Sequence, residues 1–463
     1  VRSINMLLTR CKNLAFALNL STSQWVRDEI DIERVLEYTE SSKEKGYEGA
    51  TVIDAKSGYH RTQVGALDFA SLYPSIMRTF KLDPSLQLSA ADARRVMHLL
   101  KTAPKDFDWT FGGTVDLKKD IEELVYRNDL QEWQVLRDQK TRVGTRPGVE
   151  EVEILQNVAT GVRNSDIQYR QVKNKFFWAQ FLKGVVEQTL DDVLSLRKQA
   201  KGEMAKAEEQ YGQDSMQYKI QNARQLGLKV IANSLYGFFG NQNNPLACKE
   251  LAASVTWFGR NIIQITQDKV NEIWGAVNGN VATLYGDTDS VMVDFGKLTD
   301  EMILKVWSDT RKESAEECRT MFEHWKATCP QWDILRTWLA GEATEEILNT
   351  FFRETMGMVY IIIELEKFYY PYLLFKKKNY AGYKYEGLKI QDKDTKQFLR
   401  TPIIPMPKID KKGIAAVRRD KAPMVKNTSE KMLEELLIQQ SIPGAFQILL
   451  ETLKYFYEAD PTS

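Results

Sequence analysis

The hexapeptide Tyr285-Gly286-Asp287-Thr288-Asp289-Ser290 constrains this chain more than any other stretch, because it sets two carboxylates one residue apart in a tight polar turn between two apolar runs. The flanks, Val281-Ala282-Thr283-Leu284 and Val291-Met292-Val293, are β-prone. Two such runs around a short turn predict an antiparallel hairpin with its acids at the mouth of a sheet. Carboxylates presented this way are hard oxygen ligands, and Mg²⁺ takes a few of them together with water and substrate phosphate. An Asp-rich surface turn is the plain alternative, since Asp favours turns for local backbone reasons.

A second segment changes the weighing. Val64-Gly65-Ala66-Leu67-Asp68-Phe69 begins as an apolar strand and puts a lone acid at its end, then turns through Ala70-Ser71-Leu72 into Tyr73-Pro74-Ser75-Ile76. An acid at a strand end is either solvated or a ligand. Joined to the hairpin, Asp68 would complete a carboxylate cluster able to hold two Mg²⁺, one activating an attacking oxygen and one neutralising a triphosphate and its leaving group.

A helical hairpin is expected between these two segments. From about Phe181 to Gln210, and again from about Met216 to Phe239, the pattern is helix-like, with the polar turn Tyr211-Gly212-Gln213-Asp214-Ser215 between. Arg197 and Lys201 are four apart on the first arm; Lys229, Asn233 and Tyr236 are spaced four and three on the second. Each set therefore shares one helical face. Three cations facing one cleft suit a triphosphate; a solvated basic face is the alternative.

Composition sets soft limits. A chain of 463 residues has room for about two to four packed units, and no apolar run approaches the roughly 18 residues of a membrane span. A soluble, intracellular protein is expected. Lys plus Arg and Asp plus Glu each number 63, so net charge carries no nucleic-acid signature. Its distribution does: residues 366–431 hold 17 Lys or Arg against 7 Asp or Glu, including Lys376-Lys377-Lys378 and Lys411-Lys412. Tyr369, Tyr370, Tyr372, Tyr380, Tyr383 and Tyr385 are interleaved, a combination suited to a duplex backbone. Cys11, Cys248, Cys318 and Cys329 form no C-x-x-C pair, which excludes a readable zinc ribbon or iron–sulfur site and points to reduced thiols. His60, His98 and His324 are isolated, and no Gly-rich phosphate loop is present.

These segments carry a family resemblance. Asp68-Phe69-Ala70-Ser71-Leu72-Tyr73-Pro74-Ser75 resembles motif A of family B (alpha-like) DNA-directed DNA polymerases, and Tyr285 to Ser290 resembles their motif C. Lys229-Val230-Ile231-Ala232-Asn233-Ser234-Leu235-Tyr236-Gly237 is similar to their fingers motif. Tyr47-Glu48-Gly49-Ala50-Thr51-Val52, Lys378-Asn379-Tyr380 with Ala381-Gly382, and Val417-Arg418-Arg419-Asp420 follow the family's order as well. The resemblance implies an α+β right-hand fold: an antiparallel-sheet palm, helical-hairpin fingers and a mainly helical thumb. It implies template-directed DNA synthesis, in which a primer 3′-hydroxyl attacks a dNTP and pyrophosphate leaves.

Residue roles come with it. Asp68 and Asp289 are the expected ligands of two Mg²⁺ ions, Asp287 a supporting acid and Glu366 a weaker candidate. The amides of Ser71 and Leu72, with Arg197, Lys201 and Lys229, would grip the nucleotide's phosphates. Asn233 and Tyr236 would line the base-pair pocket, and Tyr73 would bar a 2′-hydroxyl. Lys378, Tyr380, Arg418 and Arg419 would meet DNA. Expected partners are primer-template DNA and dNTPs, with a processivity factor as a candidate third, and no membrane.

The resemblance also orders the chain: a connector over 1–44, a first palm part over 45–180 with a charged insert at about 88–168, fingers over 181–240, a second palm part over 241–384 and a thumb over 385–463. The stretch 300–350 is acidic and expected to be helical. Asp31-Ile32-Glu33 matches the acidic signature of the family's 3′-to-5′ exonuclease, but too few residues separate it from Asp68 for that fold, and it sits in a charged helix-like run. Val1 in place of an initiator methionine points to a fragment or processed chain, and the short thumb to a truncated end. Two other classes stay in view: a catalytically silent structural relative, against which Asp68, Asp287 and Asp289 all stand, and a palm-type nucleotidyl cyclase, which needs no duplex grip.

Overall fold

A computed structural model describes residues 49–50, 52–88, 133–135, 141–143, 168–170, 172–174, 177–178, 184–241, 244, 247–278, 282–296, 298–392, 395 and 397–458. Asp31-Ile32-Glu33, the connector and most of the insert lie outside the described residues. Within the insert, Trp133–Val135 pairs antiparallel with Val172–Asn174, and Thr141–Val143 with Gln168–Arg170. The chain divides into two compact units, one built on Ser71–Gly259 and the other on Thr51–Ala70 with Arg260–Ser463.

The first unit is helical. Helix α1, Leu72–Thr79, buries Leu72, Ile76 and Met77, while Arg78 on its last turn donates to Asp191 (2.8 Å) on the next helix. Asp83 then organises the start of α2, Val185–Tyr211. Its Oδ1 accepts from the amide and hydroxyl of Ser85, and its Oδ2 from the Val186 N–H (2.5 Å), one of the helix's orphan donors. Burial raises this carboxyl above its usual range. Gly184 is required there, because a Cβ would lie 2.4 Å from Asp83 Oδ2.

Helix α2 and helix α3, Met216–Gly240, form an antiparallel pair. Val186, Leu190, Val193, Ala200 and Ala207 recur at three- and four-residue spacing on the buried side of α2, which is the narrow apolar stripe of a helix seam. Ala232, Leu235 and Phe239 line α3. Gly212, at φ 77, ends α2, and the Ser215 hydroxyl accepts from the Tyr218 N–H (3.2 Å) to start α3. Arg224 and Glu203 tie the arms (3.2 Å). Helix α4, Lys249–Asn278, belongs to this unit through Gly259 and to the second thereafter.

The second unit is an eight-stranded antiparallel sheet with helices. Its strands are β1 (Val52–Ile53), β2 (Gly58–His60), β3 (Val64–Phe69), β4 (Ala282–Asp287), β5 (Ser290–Asp294), β6 (Ile363–Lys376), β7 (Asn379–Glu386) and β8 (Lys408–Lys412), in the order β1-β4-β5-β3-β6-β7-β8, with β2 also on β6. β3 is buried at Val64, Ala66, Leu67 and Phe69, as a central strand covered on both faces must be. One core holds Val64, Ala66, Leu284, Tyr285, Met292, Tyr369, Tyr372, Leu374 and Tyr380. Elsewhere Phe295 and Trp338 each meet Phe368, and the Trp274 indole donates to the Thr344 hydroxyl (2.9 Å).

The stretch 300–350 is helical: α5 (Asp300–Asp309), α6 (Ala315–Thr328, opened by a Ser314/Glu317 capping box) and α7 (Trp332–Thr350). Trp307, Phe322, Trp325 and Phe398 cluster there. The chain's last described elements, α8 (Pro423–Leu437) and α9 (Ile442–Glu458), include Leu433 and Leu437, which pack on Ala381 and Ala416. The fold is thus mixed, α with antiparallel β. Among the described residues Cys248, Cys318 and Cys329 are free thiols, and no helix is long and apolar enough to cross a membrane.

Candidate active site

The hairpin forms as the sequence suggests, with β4 and β5 joined through Thr288-Asp289. Thr288 takes φ 60, and the Asp289 N–H donates to the Asp287 carbonyl (2.6 Å). This turn closes against β3, because the Asp289 carbonyl accepts from the Phe69 N–H (2.8 Å). Sheet register then aligns the acids. Asp287 pairs with Ser290, Ser290 with Asp68, and Asp68 with Glu364. Residues directly opposite in a sheet present side chains to the same face, so one row across β4, β5, β3 and β6 carries Asp287, Ser290, Asp68 and Glu364.

Glu364 was not singled out from the sequence. Ile363-Glu364-Leu365-Glu366 alternates, so both acids stand on one face and only register distinguishes them. A bulge between Leu365 and Lys367 takes Glu366 out of the ladder; it is exposed and pairs with Lys367 (2.9 Å).

Asp287 is buried, 8% exposed. Its Oδ1 lies 3.3 Å from Lys378 Nζ and accepts from the Thr288 hydroxyl (3.2 Å). Lys378 sits in the β6–β7 turn at φ 61, and its N–H donates to the Tyr285 phenol (2.9 Å). Burial pushes that phenol up to about 12. Tyr380, expected to meet DNA, is only 4% exposed, its ring among those of Tyr285, Tyr369 and Tyr372.

Lys376 and Lys377 are exposed beside it. Lys377 pairs with Asp54 (2.7 Å) and holds that carboxyl below its ordinary value through the hydrogen bond. Farther along, Lys411 pairs with Glu430 (2.6 Å), Lys412 lies over the Tyr380 ring, and the Arg418 guanidinium forks onto Asp420 (3.0 and 3.2 Å). Arg419 is exposed.

In the helical unit, Lys201, Lys229 and Asn233 are exposed. Arg197 is half-buried, in the stripe between Val193 and Ala200. Tyr236 packs on Tyr73, with ring centroids 4.5 Å apart at 59°. Tyr73 is backed by Gly259, where a Cβ would come within 3.2 Å of its ring. Ser71, at φ 52, precedes α1, which has no side-chain cap; first-turn amides point out of a helix start and suit an anion.

Among the described residues no three Asp, Glu, His or Cys side chains converge closely enough to hold a metal ion. The donor chemistry nevertheless fits Mg²⁺, which keeps several waters and binds through one or two carboxylates plus phosphate oxygens rather than a protein cage. Asp68 and Asp289, whose strands meet through the Phe69–Asp289 backbone bond, are the two carboxylates that would supply such a pair.

Comparison with known proteins accounts for most of the chain. It is 31% identical over 411 residues to the DNA polymerase delta catalytic subunit of Drosophila melanogaster, covering 88% of this chain and 27% of that protein. The rice (Oryza sativa subsp. japonica) protein of the same name is 28% identical over 417 residues, 89% of this chain and 27% of its own length. A DNA polymerase of Paramecium bursaria Chlorella virus NY2A is 31% identical over 408 residues, 88% and 32%. The chain therefore spans less than a third of the length of these relatives. The family model for DNA polymerase family B matches residues 1–320 and 329–459, and with the motifs in that family's order the chain belongs to DNA polymerase family B.

Proposed function

We propose that this chain carries the nucleotidyl-transfer site of a DNA-directed DNA polymerase, adding a dNTP to a primer 3′-hydroxyl on a template with release of pyrophosphate. The observation that carries the reading is the carboxylate row of the sheet, with Asp68 beside Asp289, in a chain of this family. Asp68 and Asp289 would hold Mg²⁺. The chemistry that such ions would supply there is a more acidic attacking hydroxyl and charge compensation for the triphosphate and leaving group. Asp287, buried and engaged by Lys378, supports the turn and would have its charge shared between that lysine and the site.

Lys229, Arg197, Lys201 and the Ser71 and Leu72 amides would bind the triphosphate, the cations as charge-assisted donors. Tyr73, held between Tyr236 and Gly259, would stand against the sugar, which supports selection of deoxyribose. Asn233 and Tyr236 would border the base pair. Lys378, whose N–H is held by the Tyr285 phenol, and Arg418 and Arg419 would meet the primer-template backbone, the contribution that makes binding salt-dependent. On this reading 45–180 and 241–384 are palm, 181–240 fingers and 385–463 thumb.

Primer extension tests it. Wild type should add dNTPs in preference to rNTPs, in template order and only with a divalent cation, and Asp289→Ala should lower the rate by about 1,000-fold or more with its fold intact. Unchanged extension by Asp289→Ala would sink the assignment. Duplex binding without extension by wild type would favour a structural relative, and a cyclic product without template would favour a cyclase.

A further inference from the structure

The strand that stands beside Asp68 has an open edge next to the site. Glu364 pairs with Asp68, yet β7 joins β6 only from Lys367 onward. Alternate residues of a strand address opposite edges, so Ile363 and Leu365 turn their amides away from β3. Among the described residues no strand receives them.

Helix α7 does. Asn349 accepts from the Ile363 N–H (2.9 Å) and donates to the Ile363 carbonyl (2.9 Å). Four residues earlier on the same helical face, Glu345 accepts from the Leu365 N–H (2.6 Å). The primary amide of Asn349 thus copies both halves of a ladder pair, and Glu345 supplies the next acceptor along. On the inner side, the Ile362 carbonyl accepts from the Ala70 N–H (2.9 Å), two residues past Asp68. Ile363 is fully buried, so these polar groups have no solvent to fall back on.

We infer that Asn349 and Glu345 are positioning residues for the Asp68 carboxylate: acting as a side-chain strand on the outer edge of β6, they hold Glu364 opposite Asp68 and set the spacing of the acids across β5, β3 and β6. The inference rests on Asp68 being a metal ligand. Neither residue touches the reacting atoms. Both act through the backbone of β6, as groups that orient metal ligands do elsewhere. The bulge between Leu365 and Lys367 makes the clamp necessary, because beyond it the ladder to β3 changes register.

Mn²⁺ binding followed by electron paramagnetic resonance, on the whole chain without nucleotide, tests this. Asn349→Leu and Glu345→Leu should each weaken Mn²⁺ binding about ten-fold, while duplex-DNA affinity changes little; losing the partners of buried backbone groups lowers the thermal midpoint of Asn349→Leu, and binding is read well below that midpoint. Glu345→Gln keeps an acceptor for the Leu365 N–H and should restore binding to near the wild-type level. If Asn349→Leu fails to fold, Asn349→Asp, which keeps the acceptor and loses the donor, gives the same reading.

Wild-type Mn²⁺ affinity in the folded variants overturns the inference, as does a loss that only tracks thermal stability. A Glu345→Gln chain as impaired as Glu345→Leu would overturn it too. Asp68→Ala separates the two levels: if it binds Mn²⁺ like wild type, the metal-site reading falls and the clamp with it. If it loses binding while the clamp variants keep it, only the clamp is wrong.

Discussion

The helical hairpin and the sheet carry their charged groups by different means. On α2 and α3 the candidate phosphate-binding cations follow from helical periodicity, and Lys201 and Lys229 reach solvent without help from distant residues. In the sheet, each acid's place is set by pairing with a strand far away in sequence, as when Asp68 meets Ser290 and Glu364. Glycines repeat the contrast. Gly202, Gly227 and Gly237 lie within α2 and α3 with nothing within 4 Å of a Cβ, whereas at Gly65 and Gly382 in the sheet a Cβ would come within 2.7 and 2.4 Å of a core side chain, and at Gly341 of α7 within 2.7 Å of Leu365 on β6. Local geometry suffices for an exposed helical face; a row of acids across four strands needs a closely packed sheet to hold its register.

Substitutions can break this contrast. Gly65→Val would push a branched side chain into Phe295 and Phe368 and should cost about 3 kcal/mol, the upper part of the overpacking range; urea unfolding would read it as a lower midpoint. An unchanged midpoint would mean the sheet is less tightly fitted than these distances imply.

Glu345 gives a pH-dependent test. Burial first, with Glu342, Glu364 and Glu346 adding to it against the Leu365 N–H, pushes its carboxyl up to about 7 from an ordinary 4.5. Between those values the folded chain holds a proton that the unfolded chain releases, so this group's contribution falls as pH rises from 4.5 to 7. Glu345→Gln removes that fall. The variant should match wild type near pH 4.5 and exceed it in stability above pH 7 by about 1 to 3 kcal/mol. Equal melting curves at both ends would show that the carboxyl titrates normally.

On the helical side, Lys229→Ala should raise the KM for dNTP about ten-fold, the loss of one charge-assisted phosphate contact, and leave melting within about 0.5 kcal/mol of wild type. A drop in kcat with unchanged KM would place Lys229 elsewhere in the reaction. The smallest effect is expected at Gly227→Ala. An open site inside a helix should gain about 1 kcal/mol or less from the added methyl, through helix propensity and a less flexible unfolded chain. A loss there would mean that the Gly227 site is less open than its surroundings imply.

Much of the site was legible before the structure. The acid-bearing turn, the strand ending at Asp68, and the two arms around Gly212 are matters of turn chemistry and short-range periodicity. They appear as Ala282–Asp287 with Ser290–Asp294, Val64–Phe69, and Val185–Tyr211 with Met216–Gly240. Glu364 and Tyr380 were harder. The alternating Ile363-Glu364-Leu365-Glu366 presents two acids on one face, and the bulge after Leu365 selects between them. Tyr380 occurs in a lysine-rich run that looks exposed, yet its ring completes the sheet's aromatic core.

By itself, the sequence determined which residue types stand at which turns and on which helical faces, because those depend on a few neighbouring dihedrals and side chains. Tertiary structure alone decided that Asp287, Ser290, Asp68 and Glu364 form one row, that Lys378 reaches Asp287, and that α7 supplies the missing neighbour of β6. The physical reason is register. A shift of one residue moves every side chain to the other face of a strand, and the choice among registers is made by burial on both faces of the sheet, which no local stretch of sequence contains.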